Sequence, residues 1–297
     1  METYVESIAA EFGGRYLASE TPAREARKPR ILWGVASTGI SHLGYLPYLA
    51  LLKKLANQGW DVVVLISEFH AYLDDRKTPW YRLQEKYSLY RAVFGRYFSS
   101  VEGVTIMSGS ELYLNGKYFL NLMRHATRLP AHGLLESGAQ MLRSDEAKFA
   151  DLLYVYMMMF DVVHLDLDLV LCGEDEAQVY ELCLTLLQSS GSQCPAGLFL
   201  PMMAGLEGQE MHASSPASNI LRLDASSDEI EHAFKNIRTA DWTAMNSNAN
   251  PLSYLKDLPE LFSAELREQW GELQVATWVE RACEELGQHL SSLRFSY

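Results

Sequence analysis

Short apolar runs alternate with a longer helical stripe near the start of the chain. Residues 1–29 predict a helix and a polar approach. Residues 31–36 (ILWGVA) and 60–66 (WDVVVLI) are apolar runs, and between them leucines recur every three residues from Leu43 to Leu55. A short apolar run is typical of a buried strand, whereas a broad apolar stripe is typical of a helix. The pattern therefore predicts a strand–helix–strand unit with a right-handed connection.

The alternation of strand and helix patterns continues as far as residue 203. Residues 104–107, 168–173 and 196–203 are further strand candidates, and residues 149–165 are apolar on nearly all sides, which predicts a buried helix. Strands that alternate with helices are typical of an α/β fold that is doubly wound around a mostly parallel sheet. In such a fold, ligands bind beyond the carboxyl ends of the strands.

The last part of the chain has a different pattern. Ser226 and Glu229 form a capping-box pattern, which predicts the start of a helix. Residues 239–253 are polar and rich in turn formers, and an apolar helical stripe follows them. We therefore predict two domains, a large α/β domain at residues 1–238 and a short helical domain at residues 239–297.

Composition narrows the function classes. The 297 residues carry a formal net charge of −13, which disfavours a general nucleic-acid binder because such binding depends on clustered Lys and Arg side chains. The N-terminus lacks a signal-peptide pattern and no apolar run is long enough to span a membrane, so we predict a cytoplasmic protein without membrane contact. The four cysteines lack zinc-site spacing, so we expect buried free thiols and no metal site.

Two stretches are candidates for ligand binding. The first strand leads into GVASTGISHLGYL, whose glycines (Gly34, Gly39 and Gly44) allow close backbone approach to a ligand. His42, in the first helical turn, could donate a hydrogen bond to a phosphate oxygen, or it could be a cap or core residue. Asp161 interrupts the apolar stretch MMMFDVV. Because a buried acid without a partner is costly, we expect it to bind either a ligand or a structural hydrogen-bond donor.

These segments together resemble the catalytic domain of the class I tyrosyl-tRNA synthetases of the archaeal and eukaryotic type. HLGY stands at the family's HIGH signature, SEFHAYLDDRKTPW is similar to its ADLHAYLD…PW segment, and GLEGQEMHASS falls on its KMSSS loop. LLYVYMMMFDVVHLDLDLVLCGEDEAQ aligns without gaps on a further family segment. The resemblance covers residues 31–238 and implies a Rossmann-type catalytic domain.

The resemblance implies that an amino acid is activated with ATP and Mg²⁺ and is then transferred to tRNA. His42, Tyr45 and Glu210 would occupy the catalytic positions. The residues implied in ATP binding are Gly34, Gly39, His42, Gly44, Gly173, Asp175 and Met211. Glu210 stands where the family has a lysine that stabilises the negative charge developing on the phosphates, so the charge at this position is reversed.

The amino-acid pocket implied by the resemblance departs from the family at several positions. Tyr154 and Asp161 match family ligands of the amino acid. Leu32 and Met158 replace a tyrosine and a glutamine, and Glu176 replaces the glutamine of DQRK near the expected substrate carboxylate. The residues implied in substrate binding are Leu32, Leu65, His70, Leu112, Tyr113, Tyr154, Met158, Asp161, Leu165 and Glu176.

Three functions remain open at this point. The first is a divergent synthetase-like ligase that forms an acyl-adenylate of an aromatic amino acid or analogue and passes it to a non-tRNA acceptor. The second is a catalytically inactive pseudo-synthetase that acts by binding a ligand or a protein. The third is a true tyrosine–tRNA ligase. The retained His42 and Asp161 favour the first function, whereas Glu210 and Glu176 favour the second.

Two further expectations concern partners. Residues 256–297 hold four basic and eight acidic residues, a poor electrostatic footprint for tRNA, so tRNA binding is disfavoured. In the family, the connective region builds a two-fold dimer. The resemblance therefore implies a homodimer formed through residues 114–146 of this chain.

Overall fold

The computed structural model describes most of the chain. The described residues are 2–19, 27–74, 76–129, 131–134, 148–235, 251–256, 258, 261–269 and 275–294. Contacts group the chain into two compact units. Unit 1 comprises Met1–Thr38, Lys54–Ser88 and Val101–Pro201. Unit 2 comprises Gly39–Lys53, Leu89–Ser100 and Met202–Tyr297.

All six described strands belong to unit 1 and form one sheet. Its strands are β1 (Arg15–Leu17), β2 (Arg30–Val35), β3 (Asp61–Ile66), β4 (Val104–Ser108), β5 (Leu169–Gly173) and β6 (Ala196–Leu200). Their order is β1-β6-β5-β2-β3-β4, in which β1 is antiparallel to β6 and every other pair is parallel. The predicted doubly wound, mostly parallel α/β fold is confirmed. The short strand β1 was not predicted.

Helices alternate with the strands and continue after the sheet ends. The described α-helices are α1 (Glu2–Glu11), α2 (Leu46–Asn57), α3 (Glu68–Leu73), α4 (Leu83–Tyr97), α5 (Gly109–Tyr113), α6 (Gly116–Ala126), α7 (Phe149–His164), α8 (Ala177–Ser189), α9 (Ser227–Lys235), α10 (Pro251–Leu255), α11 (Ala264–Glu268) and α12 (Val275–Ser291). None of the described helices has the length and apolar character needed to cross a bilayer.

The central strands are buried because their side chains are apolar on both faces. Every residue of β5 and β6 is buried, including neighbours whose side chains point to opposite faces of the sheet. Such continuous apolar runs are typical of parallel strands that are covered on both sides. The four cysteines are free and buried, as predicted.

The strand order creates a switch point at β2. This strand pairs with β3 on one side and with β5 on the other. From β2 the chain proceeds outward through β3 and β4, and it then returns to add β5 and β6 on the opposite side. Because the connections leave in opposite directions, a crevice opens beyond the carboxyl ends of β2 and β5.

In unit 2, the tail helix α12 packs against α9. The predicted capping box starts α9: the backbone N–H of Ser226 donates to Glu229 Oε2 at 2.6 Å, and that of Glu229 donates to Ser226 Oγ at 3.1 Å. The guanidinium of Arg294 donates to the Ala225 carbonyl at 3.1 Å and holds the end of the tail. The predicted linker at residues 239–253 and the domain boundary after residue 238 lie outside the described residues, except for residues 251–253.

Glu68, at the start of α3, holds the first turn of α5. It is 1% exposed, and its carboxylate accepts hydrogen bonds from the backbone N–H groups of Gly109 and Ser110, both at 2.8 Å. Because Glu68→Gln turns an acceptor oxygen into a donor that faces these N–H groups, we expect the free energy of unfolding in urea to fall by about 1–3 kcal/mol. Glu85→Gln, at an exposed position, should change it little. Equal losses in both variants would contradict the role of Glu68.

Candidate active site

A cavity in unit 1 opens at the switch point of the sheet. It has about 380 Å³ of empty volume, counted to its open mouth. Its lining comes from β2 and β3, from α3, α7 and α8, and from the turn that follows β5. The lining residues are Leu32, Gly34, Val35, Ala36, Leu65, Ser67, His70, Tyr154, Met158, Asp161, Glu176 and Tyr180.

Asp161 is the most constrained polar group of the cavity. It is 2% exposed, and both carboxylate oxygens accept a tyrosine hydroxyl. Tyr113 donates to Oδ2 at 2.8 Å, and Tyr118 donates to Oδ1 at 2.7 Å. Burial raises the pKa of Asp161 to about 7, although the two hydroxyls lower it. Because each carboxylate oxygen can accept a second hydrogen bond, Asp161 can still accept one from a ligand.

His70 and Ser67 extend this network along the wall of the cavity. His70 Nε2 lies 3.2 Å from the Tyr154 carbonyl, which only accepts, so this nitrogen carries the proton. Its Nδ1 is therefore an acceptor, and it contacts the Ser67 hydroxyl. Burial lowers the pKa of His70 to about 4, which keeps the ring neutral. Ser67 Oγ also lies 2.9 Å from the Tyr113 hydroxyl, which places Ser67 and His70 beside the polar clamp of Asp161.

Glu176 places a second carboxyl in the cavity. It lies in the helical turn Glu174–Glu176 that follows β5, and no described residue forms a hydrogen bond or ion pair with it. Removal from water raises the pKa of Glu176, and the carboxylates of Asp175 and Asp74 raise it further. Among the described residues that line the cavity there is no Lys or Arg. A cationic group of a ligand would therefore stabilise the ionised form of Glu176.

The structure brings most of the predicted substrate residues together. Leu32, Leu65, His70, Tyr154, Met158, Asp161 and Glu176 line the cavity, and Tyr113 contacts Asp161 behind it. Leu112 is buried in α5 outside the lining. Leu165 also lies outside it, where its side chain packs against the core and its carbonyl accepts from Arg30 at 2.9 Å.

Five residues of this site were not predicted. Ser67, Tyr180, Val35 and Ala36 line the cavity, and Tyr118 clamps Asp161. A usable signal existed for Ser67, because it stands two positions after Leu65 at the end of β3, and side chains two positions apart along a strand point to the same face. Tyr118 stands 43 positions before Asp161, and no local pattern pairs the two.

In unit 2, the signature segment packs tightly on the loop that contains residues 205–215. A Cβ atom on Gly39 would lie 1.6 Å from the Ala213 carbonyl oxygen, and one on Gly44 would lie 2.9 Å from His42 Nδ1. The backbone N–H of Leu43 donates to the Leu221 carbonyl at 2.7 Å. The space beside these two glycines is therefore occupied by the protein's own backbone and by His42.

His42 precedes the helical turn Leu43–Tyr45 and does not lie within it, contrary to our placement in the first turn. Its backbone is extended, with φ −127° and ψ 167°, because it pairs with Arg222 in an isolated bridge. The ring is 3% exposed and lies 4.1 Å from the Tyr45 ring between centroids. Burial, and secondarily His212, lowers the pKa of His42 to about 3. Among described residues, His42 Nδ1 has no hydrogen-bond partner.

The loop itself is fixed through its backbone. The buried amide of Asn219 accepts from the Glu207 N–H at 2.8 Å and donates to the Glu210 carbonyl at 3.2 Å. Met211 is buried, and its N–H donates to the Met203 carbonyl at 2.8 Å. The Glu210 side chain is 59% exposed, and its Oε2 lies 3.3 Å from His212 Nε2.

The remaining predicted cofactor residues flank Glu176. Gly173 is the buried last residue of β5 and pairs with Leu200, and Asp175 is exposed in the following turn. A Cβ atom on Gly34 would meet nothing within 4 Å, so a ligand could approach the backbone there. Within the described part of the chain, no three His, Cys, Asp or Glu side chains are grouped so that they could hold a metal ion.

Comparisons with known proteins agree with this geometry. The family model of tRNA synthetases class I (W and Y) matches residues 24–292. The tyrosine–tRNA ligase of Haloarcula marismortui is 31% identical over 212 residues, which cover 70% of this chain and 61% of that protein. The cytoplasmic tyrosine–tRNA ligase of Danio rerio is 28% identical over 207 residues, which cover 68% of this chain and 39% of that protein. The chain thus matches only part of the length of these relatives.

Solved structures share the fold. The tyrosyl-tRNA synthetase of Archaeoglobus fulgidus, crystallised with L-tyrosine, superimposes with a TM-score of 0.76 over 91% of this chain and 90% of that one, at 22% identity. The tyrosyl-tRNA synthetase of Aeropyrum pernix gives a TM-score of 0.75 over 90% of this chain and 85% of that one, at 21% identity. At such identities, the similarity establishes the architecture alone.

The raised pKa of Asp161 predicts a pH-dependent stability. The folded pKa is about 7, whereas the unfolded value is about 4. Between these values the folded chain binds more protons than the unfolded chain, so this group destabilises the fold as the pH rises. Asp161→Asn removes the ionisation and keeps the size. We expect the unfolding free energy of the variant relative to wild type to rise from pH 5 to pH 8, by at most about 3 kcal/mol.

Urea unfolding at several pH values measures this difference. Glu102→Gln, which removes an exposed carboxylate, is the matched control and should show almost no pH-dependent difference from wild type. A difference between Asp161→Asn and wild type that stays constant between pH 5 and pH 8 would show that Asp161 does not titrate in this range.

Proposed function

The chain belongs to the class I tRNA synthetases (W and Y) and, among them, to the tyrosyl-tRNA synthetase family, and on this basis we propose that it activates an aromatic amino acid or analogue with ATP. The observation that carries the proposal is the cavity at the switch point, where Asp161, Tyr154 and Glu176 lie among the apolar side chains of Leu32, Leu65 and Met158. The product would be an acyl-adenylate, and its acceptor would be a molecule other than tRNA.

The cavity suits an aromatic amino acid in one orientation. Glu176 and the Tyr154 hydroxyl would hold the ammonium, because the cavity lining offers no cation that competes for Glu176. Leu32 and Leu65 would pack against the ring. Asp161 would accept a hydrogen bond from a donor on the far end of the ring. Since Leu32 supplies no hydroxyl, a ring with a substituent larger than a hydroxyl group would also fit the proposal.

Two observations fit ATP as the second substrate. The open approach to Gly34 and the unpartnered Nδ1 of His42 are features that a nucleotide could use. ATP would supply the α-phosphorus that the amino-acid carboxylate attacks, with pyrophosphate as the leaving group. Gly173 and Asp175 of unit 1 would contact the nucleotide, and Mg²⁺ would offset part of its charge. The role of His42 would be to donate a hydrogen bond as a neutral ring.

Glu210 opposes this chemistry and supports the second candidate function. An exposed anion on the loop does not stabilise negative charge that develops on phosphates, and it would repel it. A protein that binds an aromatic ligand without turnover fits Glu210 directly. The third candidate, a tyrosine–tRNA ligase, is what the relatives are named. The acidic tail disfavours this candidate because tRNA recognition needs clustered cations.

A homodimer is part of the proposal. Four large apolar side chains on or beside α6 are exposed, namely Leu114, Phe119, Leu120 and Met123. Large exposed apolar groups that cluster on one element are typical of protein–protein contacts. A two-fold axis would pair this patch with the same patch of a second copy.

ATP–pyrophosphate exchange, measured with a panel of aromatic amino acids and analogues, tests the activity. We expect exchange that depends on at least one of them. Calorimetric binding of these ligands without any exchange would contradict the enzyme and favour the inactive binding protein. Charging of tRNA with tyrosine at ordinary synthetase rates would instead favour the tyrosine–tRNA ligase.

The loop charge gives a sharper prediction. Glu210→Lys places a cation where negative charge develops during activation, so we expect the exchange rate to rise by about 10²-fold. Glu207→Lys is the matched control, because it makes the same charge change at another exposed position of the loop. It should raise the rate far less. An equal rise in both variants would indicate a general charge effect, and no rise in either would contradict a phosphate-facing role of residue 210.

A further inference from the structure

A second cavity of unit 1 is a basic groove between α6 and α7. It has about 1040 Å³ of empty volume, counted to its open mouth. The residues that line this groove are Asn115, Lys117, Asn121, Arg124, His125, Arg128, Phe160, Val163 and His164. Three of them are permanent cations and none is an acid, although the whole chain carries a net charge of −13. No described residue forms a salt bridge with these cations, so they remain available to an anion.

The sequence of α6 separates this groove from the apolar patch. On α6, the groove side chains Lys117, Asn121 and Arg124 follow each other at spacings of four and three residues, which puts them on one helical face. Arg128 follows just after the end of the helix. The exposed Phe119, Leu120 and Met123 fall on another face. Tyr118 and Leu122 face the core. A dimer formed through the apolar patch would therefore leave the basic face to a different partner.

A buried histidine provides an independent indication of a ligand. His125 lines the groove and is only 6% exposed. Its Nε2 lies 3.1 Å from Ser192 Oγ, whereas its buried Nδ1 has no hydrogen-bond partner among the described residues. An unpaired buried polar atom is costly, and the cost is removed when a ligand pairs with it.

The hydrogen-bond chain beside His125 determines whether Nδ1 donates or accepts a hydrogen bond. Ser190 donates its hydroxyl to the Leu187 carbonyl, so the neighbouring Ser192 hydroxyl, 2.8 Å away, donates to Ser190. His125 Nε2 must then donate to Ser192, which leaves a lone pair on Nδ1. Burial, and secondarily Arg128, lowers the pKa of His125, which keeps the ring neutral. The matching group is one that is anionic yet carries a hydrogen, such as a phosphate with one P–OH.

We propose that the groove between α6 and α7 binds the phosphate group of a small phosphorylated ligand. Arg124 and Arg128 offer planar N–H donors that pair with phosphate oxygens in a bidentate manner, and Asn121 adds an amide. His125 Nδ1 accepts the P–OH hydrogen. Lys117 lies two helical turns from Arg124, about 10 Å along the axis, and contacts a second polar part of the ligand. This site is independent of the proposed amino-acid activation.

Calorimetric titration of the full chain with inorganic phosphate, at constant ionic strength, tests the site. We expect saturable binding by wild type and a loss of affinity of about tenfold or more in each of Arg124→Gln and Arg128→Gln. Arg91→Gln, at an exposed position on α4, is the matched control and should bind as wild type does. Thermal unfolding confirms that each variant is folded. His125→Gln should weaken binding as well, because the glutamine amide presents both N–H donors and a carbonyl acceptor in place of the single acceptor nitrogen Nδ1.

Several outcomes would overturn the proposal. One is the absence of phosphate binding by wild type, and another is an equal loss in the Arg91→Gln control. Tight binding of a single-stranded oligonucleotide that Arg124→Gln abolishes, with no binding of phosphate, would assign the groove to nucleic acid. Loss of phosphate binding in Phe119→Glu, in parallel with loss of a dimer, would assign the groove to the subunit interface.

Discussion

A buried carboxylate determines how the ligand end of unit 1 is built. Asp161 sits in an apolar helix at 2% exposure, and such a group is tolerated only if donors reach both of its oxygens. The donors come from two other elements, because Tyr113 ends α5 and Tyr118 lies on α6. Their rings are 5.3 Å apart between centroids, so the polar clamp is also an aromatic contact. Three helices are thereby held at one point beside the cavity.

Acidic and basic side chains line different cavities of unit 1. In the part of the chain that the structure describes, the lining of the cavity at the switch point has two carboxyls and no Lys or Arg, whereas the lining of the groove between α6 and α7 has three cations and no acid. A single helix, α7, contributes to both through Asp161 and His164. The acidic site favours cationic groups of a ligand, and the basic site favours anionic groups. Each site therefore repels the ligand that the other site attracts.

Much of the fold could be predicted from the sequence because the patterns that specify most of its strands and helices are local. The apolar runs predicted β2 to β6 within a few residues, and the capping box predicted the start of α9. The strand β1 was missed because three residues carry no periodic pattern and it depends on pairing with β6, more than 170 residues later. A strand that exists through one distant partner has no signature of its own.

The candidate site was predictable only where a family segment reached it. Cavity residues such as Tyr154 and Glu176 lie in segments that could be aligned, whereas Tyr118 and Asn219 act through distant contacts. His42 was placed in a helical turn because the leucine period begins at the next residue, Leu43. Its extended backbone results from pairing with Arg222, a contact between segments 180 positions apart, which no local period contains.

The loop of residues 205–215 is held by contacts to its backbone, so its conformation does not depend on the exposed side chains that set its charge. Asn219 binds backbone groups, Gly39 leaves room for the Ala213 carbonyl, and the Glu207 and Glu210 side chains point to solvent. Mutations at the exposed positions therefore change the charge presented by the loop at almost no cost in stability. A lineage could pass from one loop charge to another through folded intermediates alone, so the function of this chain can evolve while its architecture stays unchanged.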